Sequence, residues 1–251
     1  MNWTTYWNQS TIFDRIMRFS TRFFCQRADA VLGLEADSRI LDIGCGPGYL
    51  EEYFVDRVEH ITALEVSETY LQQCAGRFRN QPGVNVLPLD VHAYTQIPVP
   101  REPAFTHAIV LSVLQYYRNA SEVKALLSEI RPRLRPGGRI LLADLIVQPG
   151  SILDVLTFLV CALRAGFLLS ALVFLWRCRF SEYFKMRADN GLLVLDAERW
   201  MQILQELGLS GRWIKRTLTC NPTRANLLIE IEMNTKAKTV MNAKSKLEKK
   251  E

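Results

Sequence analysis

The chain predicts an α/β fold: a doubly wound seven-stranded sheet, mostly parallel, with an antiparallel C-terminal hairpin and a helical lid insertion. Three observations carry that expectation. Short apolar runs alternate with capped helical stretches between residues 39 and 145, the pattern of repeated β-α-β units. A glycine-rich turn separates the first strand from its helix. Two apolar runs near residue 220 lie too close together for a crossover, so they can join the sheet only as an antiparallel pair at its edge.

Taken in order, Arg39–Ile43 reads as the first strand, and Gly44-Cys-Gly-Pro-Gly48 turns it into a helix beginning at Tyr49. Ile61–Val66 is the second strand, ending near Glu65, and Ser67 caps the helix that carries Tyr70, Leu71 and Cys74. Val84–Leu89 is the third strand, closed by Asp90, and Ala108–Leu111 is the fourth, followed by Ser112-Val-Leu-Gln-Tyr116. Asn119 opens a helix running to Ile130, which Pro132 and Pro136-Gly-Gly138 end; Arg139–Leu145 is the fifth strand. Asp196 caps Ala197–Leu207 and Gly208 stops it, before Trp213–Thr219 and Ala225–Met233 form the closing strands. The chain then divides into an N-terminal helical cap (1–35), a ligand-binding core (36–144), an apolar helical insertion (145–195), a final helix and hairpin (196–233) and a disordered basic tail (234–251).

Lysine and arginine number 31 against 26 aspartates and glutamates, a surplus of five. Residues 234–251 hold six lysines and two glutamates, so four of those five charges sit in the tail and the body is almost neutral. Such a body is a poor match for phosphates, and no nucleic acid partner is expected. The six cysteines (25, 45, 74, 161, 178 and 220) show neither C-x-x-C nor zinc spacing, so no metal is expected and a reducing, cytoplasmic setting is. The N-terminus is aromatic and polar, unlike a signal peptide.

The glycine turn is the most telling stretch. A dinucleotide fingerprint would need its third glycine at position 49, which is Tyr49, and a P-loop would need a lysine after the glycines. Asp42 would repel a pyrophosphate but suits a cation. Asp42-Ile-Gly44-Cys-Gly46-Pro-Gly48 resembles the first motif of the class I S-adenosylmethionine (SAM)-dependent methyltransferases, an acidic residue followed by Gly-x-Gly-x-Gly. The resemblance extends over residues 36–232 and implies SAM as cofactor, held by Asp42, Gly44, Cys45, Gly46 and Gly48. Glu65 lies 21 positions past Gly44, close to the spacing at which an acid reaches a ribose, with Val66 beside it. By the same likeness Asp90 and Val91 meet the adenine, Leu111 lies against the cofactor, and the following segment runs beneath the methionyl end with Gln115 and Tyr116 toward the substrate. Relatives usually begin the fourth strand with Phe-Asp, where this chain has Phe105-Thr106.

A sulfonium methyl is already activated, so a general base is needed only where the acceptor loses a proton. No motif singles out a catalytic group. Asp144, Tyr116 and His92 are the candidates, with Asp144 facing the substrate beside Gln115 and Tyr116, and His92 placed toward the adenine. His107 reads as a packed core histidine.

Two flanking features bear on the acceptor. Trp3, Tyr6 and Trp7 precede a helical pattern through Ile12, Phe13, Ile16, Met17, Phe19, Phe23 and Phe24. In relatives such a helix covers the cofactor, and Tyr6 is expected over the sulfonium; simple packing on the sheet edge is the competing reading. Residues 155–176 are almost wholly apolar, yet a single crossing would put the fifth strand and the closing hairpin on opposite sides of a bilayer. Two helices of about a dozen residues reach only ~18 Å each against ~30 Å of hydrocarbon. A lid is the natural reading of so long an insertion. Its apolar surface predicts a hydrophobic small-molecule or lipid-like acceptor, methylated on O, N or C, and peripheral membrane contact through 152–178 with Arg177, Arg179, Lys185 and Arg187 alongside. The competing functions are a catalytically silent SAM-fold partner protein and a nucleic-acid methyltransferase. The latter would need an Asn-Pro-Pro-Tyr type of motif where this chain has Leu111-Ser-Val-Leu.

Overall fold

The computed structural model describes residues 14–148, 152–164, 166, 168–179 and 191–232. Trp3, Tyr6, Trp7, Ile12, Phe13, Lys185, Arg187 and the tail 234–251 lie outside them, as do the side chains of Arg177 and Arg179.

The helices are α1 (Asp14–Leu32), α2 (Tyr49–Phe54), α3 (Glu68–Arg77), α4 (Ala120–Ile130), α5 (Ile152–Arg164), α6 (Leu168–Arg179) and α7 (Ala197–Glu206). The strands are β1 (Arg39–Ile43), β2 (His60–Glu65), β3 (Val84–Pro88), β4 (Phe105–Leu111), β5 (Leu134–Leu145), β6 (Ser210–Trp213) and β7 (Ala225–Glu230). They form one seven-stranded sheet in the order β3-β2-β1-β4-β5-β7-β6, in which β7 pairs antiparallel with both β5 and β6 and the other neighbours are parallel.

Alternation along the strands sends side chains to two cores. Leu41, Ile43, Val110 and Leu142 pack with Leu126 and Ile130 of α4 and Trp200 and Ile203 of α7. Ile40, Ile109 and Leu141 pack on the other face with Phe24, Cys25 and Leu32 of α1 and Leu50 and Phe54 of α2. Asp42 shares parity with Ile40, so it points under α1 and α2, beside the buried Glu51. Thr106, which replaces the usual aspartate, stitches β1 to β4: its Oγ1 accepts from Arg39 N (2.8 Å) and donates to Arg39 O (3.1 Å). His107 is buried, with Nε2 donating to Leu32 O at 3.0 Å, and burial holds its pKa below the usual histidine range.

Strand boundaries differ from the sequence expectation, among them the end of the last strand at Glu230 rather than Met233. β4 begins at Phe105 rather than Ala108. β5 begins at Leu134, so Pro136-Gly137-Gly138 lies inside it: Gly137 takes φ 81°, its N–H donates to Ile231 O (3.0 Å), and Gly138 O accepts from Ile231 N (2.8 Å). The breakers form an irregularity in the ladder instead of a loop. The penultimate strand is Ser210–Trp213 and not Trp213–Thr219. Gly211 lets it lie against α7, since a Cβ there would sit 2.6 Å from Leu204 Cδ1. Residues 214–224 are then freed to turn back over the strand ends.

Candidate functional site

A cavity of about 440 Å³ opens where β1, β2, β4 and β5 end. One wall carries Asp42, Gly44, Cys45, Gly46, Glu65 and Val66, and the opposite wall carries Leu111, Gln115, Tyr116 and Asp144. This is the position at which open α/β sheets bind ligands. Gly48, Asp90, Val91 and His92 do not line it. Gly48 (φ 86°) caps α2 with its back to Cys74 and Phe78, while Asp90 is exposed and accepts the His92 N–H at 2.8 Å, the ordinary local turn of a short acid. Leu89 reaches the cavity in their place. Tyr6 lies outside the described residues.

The glycine turn is held from behind. Leu64 O accepts from Gly44 N (2.8 Å) and Cys45 N (3.0 Å), Glu65 Oε2 accepts from Gly46 N (2.8 Å), and Arg77 Nε donates to Pro47 O (3.1 Å). Gly44 has φ 80°, and a Cβ on it would lie 2.3 Å from Val113 Cγ2, so only glycine lets the segment after β4 press on the turn. At Gly46 (φ 56°) a Cβ would meet no atom within 4 Å. There the bare backbone faces open cavity.

Glu65 Oε1 accepts from Val66 N (2.9 Å) and Ser67 N (2.8 Å), completing three backbone bonds to this one carboxylate with Gly46. Burial raises its pKa while these donors oppose the rise. A carboxylate has about four acceptor positions, so it keeps capacity for a ligand hydroxyl. Asp42 has weaker support, from the Ile43 N–H and Glu51. Its Oδ1 is buried without a hydrogen-bond partner among the described residues, and burial drives its pKa to about 7.

At the far end of the cavity, Ser112 (φ 58°) and Asp144 (φ 65°) follow or end adjacent strands, and both are non-glycine residues in the left-handed region. Such strain persists only where surrounding bonds impose it. Here Ser112 Oγ donates to Asp144 Oδ2 (2.8 Å), Ser112 N donates to Ala143 O (3.1 Å), Asp144 N donates to Asn226 Oδ1 (3.2 Å), and Arg224 Nε lies 3.8 Å from Asp144 Oδ1. Gln115 Oε1 accepts from Arg224 at 3.5 Å. The left-handed turn at Asp144 coincides with the register shift between Leu142 and Leu145 and aims the carboxylate at the cavity.

Sequence reasoning did not find Thr219, Cys220 and Asn221, which line the cavity from the stretch read as strand and connector. Ser112 is expected only as part of the segment after the fourth strand; its left-handed conformation and its bond to Asp144 have no sequence signature. Of the N-terminal pattern, Ile16, Met17, Ser20 and Thr21 of α1 roof the cavity, joined by Phe158 of α5. Tyr49 Oη donates to Asp14, and Arg77 stacks 4.8 Å from the Tyr49 ring, so α1 is fastened over the turn. Ala162 of α5 and Ala171 of α6 pack against Ile16 and Phe19. Outward, Leu169 (76% exposed), Leu172, Val173 and Trp176 (68%) form an i, i+3, i+4, i+7 stripe along α6. No helix among the described residues is long and apolar enough to cross a membrane.

Comparison with known proteins agrees with this geometry. Residues 40–138 match the model of a methyltransferase domain family. A tRNA U34 carboxymethyltransferase of Pseudoalteromonas translucida (strain TAC 125) is 30% identical over 112 residues, 43% of this chain and 32% of the relative. A malonyl-[acyl-carrier protein] O-methyltransferase of Salmonella typhimurium (strain LT2) is 34% identical over 114 residues, 44% of this chain and 41% of the relative. The chain thus spans well under half the length of the curated relatives it matches. Among solved structures, the methyltransferase complexed with the Haloferax volcanii Trm112 methyltransferase activator superposes with a TM-score of 0.63 at 13% identity, covering 93% of this chain and 99% of that one. That likeness concerns the fold.

Proposed function

We propose that the chain, whose residues 40–138 match a methyltransferase domain family, is a class I SAM-dependent methyltransferase acting on oxygen, nitrogen or carbon of a hydrophobic, lipid-like acceptor. The observation that carries the reading is the shared cavity: Ile16, Met17 and Phe158 wall the same space as Asp42, Gly44 and Asp144. An apolar acceptor entering beneath α1 and α5 would meet the cofactor wall on one side and the Asp144 centre on the other.

The residues present fit SAM. The turn offers bare backbone at Gly46, Glu65 keeps acceptor capacity for ribose hydroxyls, Leu89 and Val66 give an apolar surface for a base, and Asp42 adds an acidic side chain to the same wall, where it would attract a cation. SAM supplies a methyl group on a sulfonium, ready for in-line displacement. What the protein adds is placement of the acceptor behind it, with Gln115 and Tyr116 bounding the approach. Asp144, oriented by Ser112 and kept near a guanidinium by Arg224, takes the proton from a hydroxyl or amine acceptor. His92, exposed and away from the cavity, has no part in this reading. A silent binding protein would have no use for two strained, mutually bonded residues at the acceptor end.

A second reading, in which the acceptor is a tRNA base, has the name of the Pseudoalteromonas relative in its favour. The family match stops at residue 138, however, before α5 and α6, whose apolar surface suits no polynucleotide. Incubating the protein with methyl-labelled SAM and either extracted lipids or bulk tRNA separates the two. Label is expected in the organic phase; label confined to tRNA would overturn the lipid reading.

The same proposal has α5 and α6 resting on a bilayer. Trp176 ends the outward stripe of α6, an interfacial position that suits its ring, and Arg22 is exposed on the adjoining α1, where anionic headgroups would meet it. Vesicles rich in phosphatidylserine are expected to co-sediment the protein, and the double substitution Leu169→Ser, Trp176→Ser to lose most of that binding. A wild-type protein left wholly in the supernatant would exclude the contact.

A further inference from the structure

Asp42 faces the cavity, and Glu51, in the first turn of α2, lies behind it; they are 2% and 0% exposed. Among the described residues, no N–H or O–H donates to Asp42 Oδ1 or to either carboxyl oxygen of Glu51. The two carboxyls are within hydrogen-bonding reach of each other once one of them is protonated. Around them stand Glu65 of β2, Cys25 of α1, Cys74 of α3, Cys45 of the glycine turn and the backbone N–H groups of Ile43 and Glu51. None of these groups is a cation. Burial and the two acids push the Cys25 thiol well up, so it stays protonated and neutral. Glu65, by contrast, has its three backbone donors.

Two carboxylates in such a place cannot both ionise without a cation, and the last proton belongs to the pair. Burial lifts Asp42 to about 7 and Glu51 well above the usual carboxylate range. SAM carries a sulfonium charge that its demethylated product lacks.

We propose that Asp42 and Glu51 form a charge-reading pair, sharing one proton in the free protein and releasing it to solvent when a cationic ligand settles against Asp42. The inference rests on the methyltransferase reading and deepens it, because the pair discriminates cofactor from product by charge. One proton would leave as SAM binds and one would return once the sulfonium has given up its methyl group, before the thioether product departs. Glu51, which touches no ligand, is a positioning residue acting through Asp42.

The test is calorimetric titration of the full chain with SAM, in phosphate and in Tris, between pH 6 and 8. The heats are expected to differ between buffers by an amount corresponding to proton release. Because low pH favours the protonated pair, affinity should rise with pH, by at most about tenfold per unit for one proton. S-adenosylhomocysteine should release less. Glu51→Gln, whose amide can donate to Asp42 and leave it ionised, should lose both the buffer dependence and the slope.

A ligand-free readout stands beside it. In the unfolded chain both acids ionise near pH 4, whereas burial holds Asp42 protonated to about pH 7 and keeps Glu51 well above the usual carboxylate range, so the folded state binds more protons between about pH 4 and 7. The melting temperature of the wild type should therefore fall as pH rises through this window, and Glu51→Gln should flatten the fall. SAM binding with identical heats in both buffers would overturn the pair and leave the methyltransferase reading standing. No binding at any pH would overturn both.

Discussion

Arginine in place of Gly46 is expected to weaken SAM binding by at least about 100-fold, close to 2.7 kcal/mol, while the sheet stays folded. The position allows this separation. No atom lies within 4 Å of a Cβ built there, so the side chain causes no backbone collision, but it must share the space beside Asp42 and Glu65. A left-handed φ of 56° adds roughly 1–2 kcal/mol of strain, or a fall of a few degrees in melting temperature for a domain of this size. Titration calorimetry and a thermal melt read the two effects independently. Unchanged affinity would remove the glycine turn from the cofactor site.

Asp144→Asn is expected to leave SAM binding within a few-fold of wild type and to lower turnover by about 10²–10⁴, the usual contribution of a positioned base. Asparagine tolerates the left-handed conformation at φ 65° and can still accept from Ser112 Oγ, so the strand end should hold its shape. What it loses is basicity and the attraction to Arg224. Single-turnover measurements with saturating SAM isolate the chemical step. A rate within threefold of wild type would mean that the acceptor needs no base, or that Asp144 only shapes the strand end.

Much of the fold could be read locally. Ser67 accepts from Tyr70 N, Asn119 Oδ1 from Ser121 and Glu122, and Asp196 from Arg199, and each marks its helix start because a short polar side chain satisfies donors that the helix leaves open. That Asp42, Gly44, Gly46 and Glu65 share one cavity wall is similarly legible, since they are set by one strand end and the next. Long-range pairing escaped. Pro136-Gly-Gly138 reads as a break, yet Ile231, nearly a hundred residues on, zips it into β5. The alternation through Trp213–Thr219 reads as a strand, but Leu218 and Ile214 are drawn against the α1 face and the segment turns back over the cavity. Asp90 reads as the third acid of the set; it lies outside the cavity lining, with its Oδ1 accepting the His92 N–H. At Ser112 and Asp144 the backbone adopts what local preference disfavours, so their roles emerge only in three dimensions.

The close approach of Val113 to Gly44 limits how this protein could be retargeted. Val113 opens the short turn bearing Gln115 and Tyr116, and its methyl group occupies the space of the side chain that Gly44 lacks. A bulkier residue at 113, introduced to reshape the substrate end, would therefore push on the SAM turn and damage both functions together. Engineers seeking a new acceptor would do better with Phe158 of α5, which borders the chamber without bracing that turn.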